Sequence, residues 1–332
     1  MSKHALHSVY KEEGGGMKNA AYMKKVRKAF TFLIIGFVLA GCATNARAKA
    51  KPVLIEHPER FFWEIKGAKG SVFVLGTIHI ADKTFYPLEE NVLRTFDGAD
   101  RLVSELGGLE DMQAIAKELQ AVIPENMNID PEKNLLKKLS QDELTFLNEK
   151  IGEFTVRQLA SFNPWILNMV LSQLLIEQSG LNAVDGLDLH LIQRAGSKKI
   201  EALETPSQQL AVLAFGSFED QLAILKSSIE ALQNIDKTKE EISRLRSLYL
   251  ANDRVKLAEL LPELLSDVPS SFSPEKAQAF MDALLKNRNW LWAHKFAEYL
   301  QKGGTTFVFA GCAHFLGDSS VFEIMRQESL LE

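Results

Sequence analysis

One short pattern occurs near both ends of the chain. Ser71–His79 reads S-V-F-V-L-G-T-I-H, and Thr306–His314 reads T-F-V-F-A-G-C-A-H. Each is a β-branched and aromatic run closed by Gly, two further residues and His. A continuous apolar run of that length, bounded by Gly, fits a buried strand. Gly76 and Gly311 are expected to permit a sharp turn where each strand ends, with His79 and His314 on the loops just beyond. If both strands join one sheet, the two histidines stand at equivalent edges and can converge. A metal or acid–base site on an α/β scaffold is assembled in that way.

The N-terminus is a targeting segment and is set aside from the fold. Lys24, Lys25, Arg27 and Lys28 form a basic region, followed by an apolar stretch, Phe30–Ala40, too short to span a bilayer comfortably. The stretch ends in Leu39-Ala40-Gly41-Cys42, which resembles a bacterial lipobox; Cys42 is then the lipidated first residue of the mature chain. The alternative is an ordinary signal peptide cut after Ala48, following Ala46-Arg47-Ala48. Met17 or Met23 is a candidate start. The expected organisation is a signal peptide over 1–41, a linker over 42–58 and one domain over 59–332. The product is an envelope protein held to a membrane through its N-terminal lipid and facing outward.

Residues 1–41 hold 7 of the 38 Lys+Arg and 2 of the 43 Asp+Glu, so the mature chain has a net charge near −10. That balance argues against nucleic acid or an anionic membrane face as a partner. With Cys42 acylated only Cys312 remains, and no intrachain disulfide is available. Cys312 lies inside the second strand–Gly–His unit and reads as a small buried filler, since a reactive thiol needs an electropositive, partly exposed setting.

Few strands and many helices are expected between the two ends. Arg60–Ile65 and Val72–Leu75 flank Gly67-Ala68-Lys69-Gly70 as a hairpin. Pro87–Phe96 has helical spacing, Arg101–Glu105 is a strand, and Lys199–Leu203 is another. Ser140 with Glu143 forms a capping box, Pro164 opens an apolar helix, and Asp188–Arg194 is a shorter one. Thr205-Pro206-Ser207-Gln208 starts a helix with an N-cap, a Pro at the first position and a Gln at the third. Amphipathic helices then run to Gly303-Gly304. The fold class is α/β: a mixed sheet built from both ends of the chain around a large helical insertion.

Glu105 ends one expected strand and Glu204 directly follows another, so both carboxylates lie where loops collect functional groups. Glu204 is also placed to complement the dipole of the helix that follows it, and the two roles stay open. Two His with one or two Glu, and no thiolate, suit Mn, Co or Zn better than a soft metal or an iron–sulfur cluster. His190, among Leu187, Leu189 and Leu191, and His294, between Trp290 and Trp292, read as packing residues, as does Met169.

Gly76-Thr77-Ile78-His79, the strand to Glu105 and Gly311-Cys312-Ala313-His314-x-x-Gly317 together resemble the TraB/PrgY/GumN family, which includes the TIKI metalloproteases. The resemblance extends through Gly186-Leu187-Asp188, Leu203-Glu204-Thr205 with Gln208 and Gln209, and Arg288-Asn289. It implies a compact α/β fold related to erythromycin-esterase-like and ChaN-like proteins. It implies a divalent-metal site at His79, Glu105 and His314, with Glu105, Glu204 and Arg288 as the catalytic candidates and the division of ligand and base between the two Glu left open. One departure is Leu106-Gly107-Gly108, where members often carry Asp or Asn.

The reading is a metal-dependent, peptidase-type hydrolase acting on a peptide or protein. The alternative is a non-catalytic haem- or peptide-binding lipoprotein on the same scaffold. The lipid anchor has its own test: Cys42→Ser should release the protein from membranes and abolish labelling by a clickable fatty acid. Unchanged membrane association, with no label on the native protein, contradicts acylation.

Overall fold

The computed structural model describes residues 50–264 and 268–332. The signal-peptide and lipobox residues, including Cys42, lie outside them. Six strands form one mixed sheet: β1 (Val53–Glu56), β2 (Phe62–Lys66), β3 (Gly70–Thr77), β4 (Arg101–Ser104), β5 (Ile200–Ala202) and β6 (Gly304–Gly311). Their spatial order is β1-β2-β3-β6-β4-β5. The first three strands are an antiparallel meander, and β3, β6, β4 and β5 run parallel to one another.

The two sequence copies are neighbours in this sheet. Val74 pairs with Val308, Gly76 with Ala310 and Thr77 with Gly311. β4 lies on the other side of β6, with Ser104 opposite Phe309, and β5 follows with Ala202 opposite Ser104. Parallel strands deliver their C-terminal ends to a single edge of a sheet, where α/β proteins bind ligands. The residues that follow these four strands therefore emerge side by side.

Both faces of the central strands are covered. Val72, Val74, Phe307, Val308 and Phe309 are completely buried. Such runs lack the alternation of a half-exposed strand because no face meets water. Helix α1 (Glu90–Gly98) links β3 to β4 and buries Val92 and Phe96, and Phe96 packs edge-on against Phe307. After β4 comes α2 (Leu109–Val122), none of whose residues is buried. A second apolar cluster forms among α3 (Gln141–Ile151), α4 (Glu153–Leu159) and α5 (Pro164–Gln178), with a single turn at Leu135–Lys138 and α8 (Phe218–Gln233). Between these run α6 (Leu187–Ala195) and α7 (Pro206–Leu213). Then α9 (Ile235–Leu250), α10 (Arg254–Leu264), α11 (Pro274–Met281) and α12 (Asn287–Lys302) lead to β6, and α13 (Val321–Gln327) follows it. A single π-helical segment, Asp282–Lys286, joins α11 to α12.

The expected capping boxes are present: Ser140 Oγ accepts from Glu143 N, and Thr205 Oγ1 accepts from Gln208 N. Gly303 ends α12 with φ +79°, a conformation that favours glycine.

Two expectations need correction. The segment assigned as a linker, 42–58, contributes β1, so the folded unit begins before Glu59. Three of the four β1 residues are exposed, and the apolar run Val53-Leu54-Ile55 is too short to mark a strand by pattern. β3 continues through Gly76, and β6 ends at Gly311 with φ −49° before the 3₁₀ turn Cys312–Phe315, so neither glycine makes a turn that only glycine could make. They are needed for closeness instead: a Cβ on Gly76 would lie 3.0 Å from the Cys312 Cβ, and one on Gly311 would lie 3.2 Å from His79 Nε2.

The end of β3 is braced from beneath. Tyr249 on α9 is 1% exposed; its hydroxyl donates to Gly76 O at 2.7 Å and its ring stacks on Phe61. Tyr249→Phe keeps the ring but leaves that buried carbonyl without its donor. Urea unfolding should show a loss of about 1–3 kcal/mol; an unchanged midpoint and slope would contradict this bracing.

Candidate active site

His79 stands two residues beyond β3 on a loop fastened to the start of α6. Leu187 N donates to Ile78 O at 3.1 Å, and Ala81 pairs with Asn182. Gly186 makes this approach possible, since a Cβ there would lie 2.2 Å from His79 O. Asp188, in the first turn of α6, consequently sits behind the imidazole. Its Oδ2 is 2.9 Å from His79 Nδ1, and its Oδ1 accepts from Thr77 Oγ1 at 2.7 Å.

This pairing sets the charge of His79. The Asp188 carboxylate raises the imidazole pKa from 6.5 to about 9; burial opposes the rise, and the hydrogen bond to Asp188 and the charge of Glu105 add to it. For Asp188, burial pushes upward, but the His79 charge and the hydrogen bonds from His79 and Thr77 outweigh it and hold the carboxyl below its usual range. The first turn of a helix also favours a carboxylate.

His314 is held differently. It lies on the 3₁₀ turn Cys312–Phe315, is 4% exposed and packs on the Trp292 ring at 4.1 Å. Burial, reinforced by the charges of Arg288 and His79, pushes its pKa well below the ordinary value. Asn289 fixes its tautomer. Asn289 Nδ2 donates to Ser319 O at 2.7 Å, so Oδ1 is the end that faces His314 Nδ1 at 2.5 Å. The Nδ1 atom therefore carries the proton, and Nε2 presents a bare lone pair.

Both Nε2 atoms face Glu105. His79 Nε2 is 3.5 Å from Glu105 Oε2, and His314 Nε2 is 3.7 Å from Glu105 Oε1. Glu105 Oε1 also accepts from Arg288 Nη2, whereas the buried Oε2 has no hydrogen-bond partner. An unpartnered buried carboxylate oxygen is costly, and such exceptions need a physical reason.

Glu204 is placed apart from that exchange. It is 4% exposed, its Oε1 accepts from Arg288 Nε at 2.6 Å and from Trp292 Nε1 at 2.9 Å, and its Oε2 accepts from Gln209 Nε2 at 2.5 Å. With both oxygens engaged, Glu204 anchors Arg288. Arg288 Nη1 donates to Leu284 O in the π-helical segment at 3.0 Å. Burial disfavours the guanidinium charge, but Glu105 and Glu204 outweigh it and raise its pKa. One buried cation between two carboxylates thus sets the positions of both.

The structure brings His79, Glu105, Glu204, Arg288 and His314 to one place. Asp188, Asn289, Trp292 and Gln209 join them without having been assigned roles from sequence. His190 packs on Tyr86, His294 packs on Trp290, and neither belongs to this cluster. Cys312 is buried, and its thiol is pushed up to about 12 by burial and the Asp188 charge, so it is no nucleophile. Among the described residues, no three His, Cys, Asp or Glu side chains are gathered closely enough to cage a metal ion as they stand.

The fold and this cluster define an α/β protein with a polar centre at the C-terminal edge of its parallel strands. The TraB/PrgY/gumN family model matches residues 61–330, and the chain belongs to that family. It is 34% identical over 312 residues to an uncharacterised protein of Treponema pallidum, covering 92% of each chain. It is 24% identical over 263 residues to the uncharacterised protein YbaP of Escherichia coli, covering 76% of this chain and 87% of that one. No solved structure matches it significantly.

The Asp188–His79 pair predicts a definite pH response. The folded pKa of His79 lies above its unfolded value, so the pair's contribution to stability is complete below about pH 6.5 and is lost as pH rises through about 9. At the acid end it is lost as Asp188 takes up a proton. The His79 side chain is 61% exposed, so screening keeps the contribution small. Imidazole NMR of metal-free protein should show His79 titrating near pH 9, with Asp188→Asn moving it down toward 6.5. Titration near 6.5 in the native protein would contradict the pairing.

Proposed function

We propose that this centre is a hydrolytic site that uses a divalent ion, Mn, Co or Zn, and acts on the amide bond of a peptide or protein. The observation that supports it is the meeting of a bare His314 Nε2 with an unpartnered Glu105 Oε2 and His79 Nε2 in one recess. His314 Nε2 is a lone-pair donor turned toward that carboxylate, and His79 Nε2 becomes a second once its proton leaves. His79, His314 and Glu105 are the residues that would hold the ion, and both imidazoles already have the outer hydrogen bonds that orient metal-binding histidines. A divalent ion supplies polarisation of the carbonyl and a more acidic water.

The other contributions come from the chain itself. His79 must give up its proton before Nε2 can act as a donor, and Asp188 then keeps Nδ1–H aligned. Arg288 holds Glu105 Oε1, so Oε2 faces the recess. Hydrolysis adds hydroxide to the carbonyl carbon and a proton to the leaving nitrogen. Both oxygens of Asp188 and both of Glu204 are engaged, so Glu105 Oε2 is the carboxylate oxygen left open to the recess and the one that would bind the ion.

We further place the protein in the cell envelope, anchored by lipid at Cys42 and facing outward, with no nucleic-acid partner. Among the described residues no helix is long and apolar enough to cross a membrane.

Purified protein separates this reading from its rival, a haem- or peptide-binding lipoprotein. Cleavage of a peptide library should require added divalent metal and stop on chelation. Glu105→Gln should lower bound metal and turnover together. A Soret band on haem addition, with no metal-dependent cleavage, would favour the rival.

A further inference from the structure

A cavity of about 400 Å³ opens directly beside His79 and Glu105. We infer that it is a side-chain pocket that selects peptides carrying a medium-sized apolar residue next to the bond under attack. The inference rests on the hydrolytic reading of the adjoining centre and adds the class of substrate.

The walls carry the argument. Leu106, Met112, Val184, Leu189 and Ile192 line the cavity, and most of its surface is carbon. Two polar side chains on the wall are already engaged: Ser104 Oγ donates to Gly107 O at 2.8 Å, and Gln209 Nε2 donates to Glu204. The remaining polar groups on the wall belong to the centre at one end of the cavity, where Asp188 is paired with His79 and Glu105 Oε1 with Arg288, and Glu105 Oε2 is the oxygen proposed to bind the ion. A charged side chain entering here would lose its water without gaining a partner. An apolar one would bury carbon against carbon, with its own backbone carbonyl left near the polar centre. This is the usual composition of a ligand site: an apolar recess with a few convergent polar groups at one end.

The rim adds a second observation. Met112 is 37% exposed and Val184 is 74% exposed, so apolar surface stands in water at the mouth and would be covered when the pocket is filled. The two walls also differ in anchorage. Leu189 and Ile192 lie on α6, which is fixed in the core by Leu187 and Leu191. Met112 lies in the first part of α2, which has no buried residue and begins after Gly107, at φ +82°. One wall is fixed and the facing one is not tied into the core. A pocket of this build excludes charge while admitting more than one apolar size, so it should select a class, such as Leu, Met or Phe, instead of a single residue.

The test uses the full chain and blocked pentapeptides Ala-Ala-Xaa-Ala-Ala with Xaa as Leu, Phe, Asp or Lys. Binding is measured by calorimetry on metal-free and zinc-supplemented protein, and cleavage of the same peptides is followed separately. Leu and Phe peptides should bind at least about tenfold more tightly than Asp and Lys peptides. Val184→Asp and Met112→Lys, both at exposed positions where folding is not at stake, should each reduce that preference. Equal affinities for all four peptides, no binding of any, or a preference untouched by both substitutions would overturn the pocket. Selective binding without cleavage would support the pocket and remove the hydrolytic reading. Cleavage without selectivity would do the reverse.

Discussion

Parallel pairing of β3 with β6 is the constraint on which the rest of the centre depends. The two strands lie at opposite ends of the domain sequence, yet they are in register from Gly70 opposite Gly304 to Thr77 opposite Gly311. Because they run in the same direction, both leave the sheet at one edge, and each places a histidine a few residues on. β4 and β5 extend the same edge and bring Glu105 and Glu204 beside one another; Leu203 N donates to Ser104 O and Glu204 N to Glu105 O. Backbone hydrogen bonding thus gathers the chemistry before any side chain interacts. The two glycines let the chains approach closely enough for His79 and His314 to face a common carboxylate.

Charge compensation then differentiates groups that are alike in sequence. Arg288 is buried with two carboxylates around it, and removing either partner from such a cluster exposes the cost of an uncompensated charge. Glu204 has both oxygens engaged, while Glu105 keeps one oxygen free. The histidines diverge likewise: Asp188 favours the charged form of His79, and burial favours the neutral form of His314. Two His and two Glu that look equivalent on paper become four groups with distinct states. Perturbation in both directions within one recess is characteristic of functional sites.

Much of this layout was legible in the sequence because it rests on local pattern. Apolar runs ending in Gly-x-x-His marked β3 and β6, and Ser140-x-x-Glu143 and Thr205-x-x-Gln208 marked two helix starts. Those signals are short-range physics, expressed within a few residues. Asp188 is marked only as part of the family resemblance, in Gly186-Leu187-Asp188; no local pattern assigns it to His79, 109 residues away, and an Asp at a helix start has an ordinary explanation in the helix dipole. Asn289 stands beside Arg288 in the resemblance, but its contact with His314 depends on packing and leaves no local pattern. β1 holds a run of only three apolar residues on an exposed edge, too short to carry a strand pattern. The glycines were recognised as necessary for the wrong reason; they serve close approach, which only the paired strands reveal.

The central claim is that His79 and His314, delivered by paired strands, together hold one divalent ion. Metal content by mass spectrometry, compared between native protein and the His79→Ala, His314→Ala double variant after equal exposure to zinc, addresses it directly. The account predicts close to one ion per native chain and essentially none in the double variant, with both proteins folded by circular dichroism. Full occupancy in the double variant would contradict it.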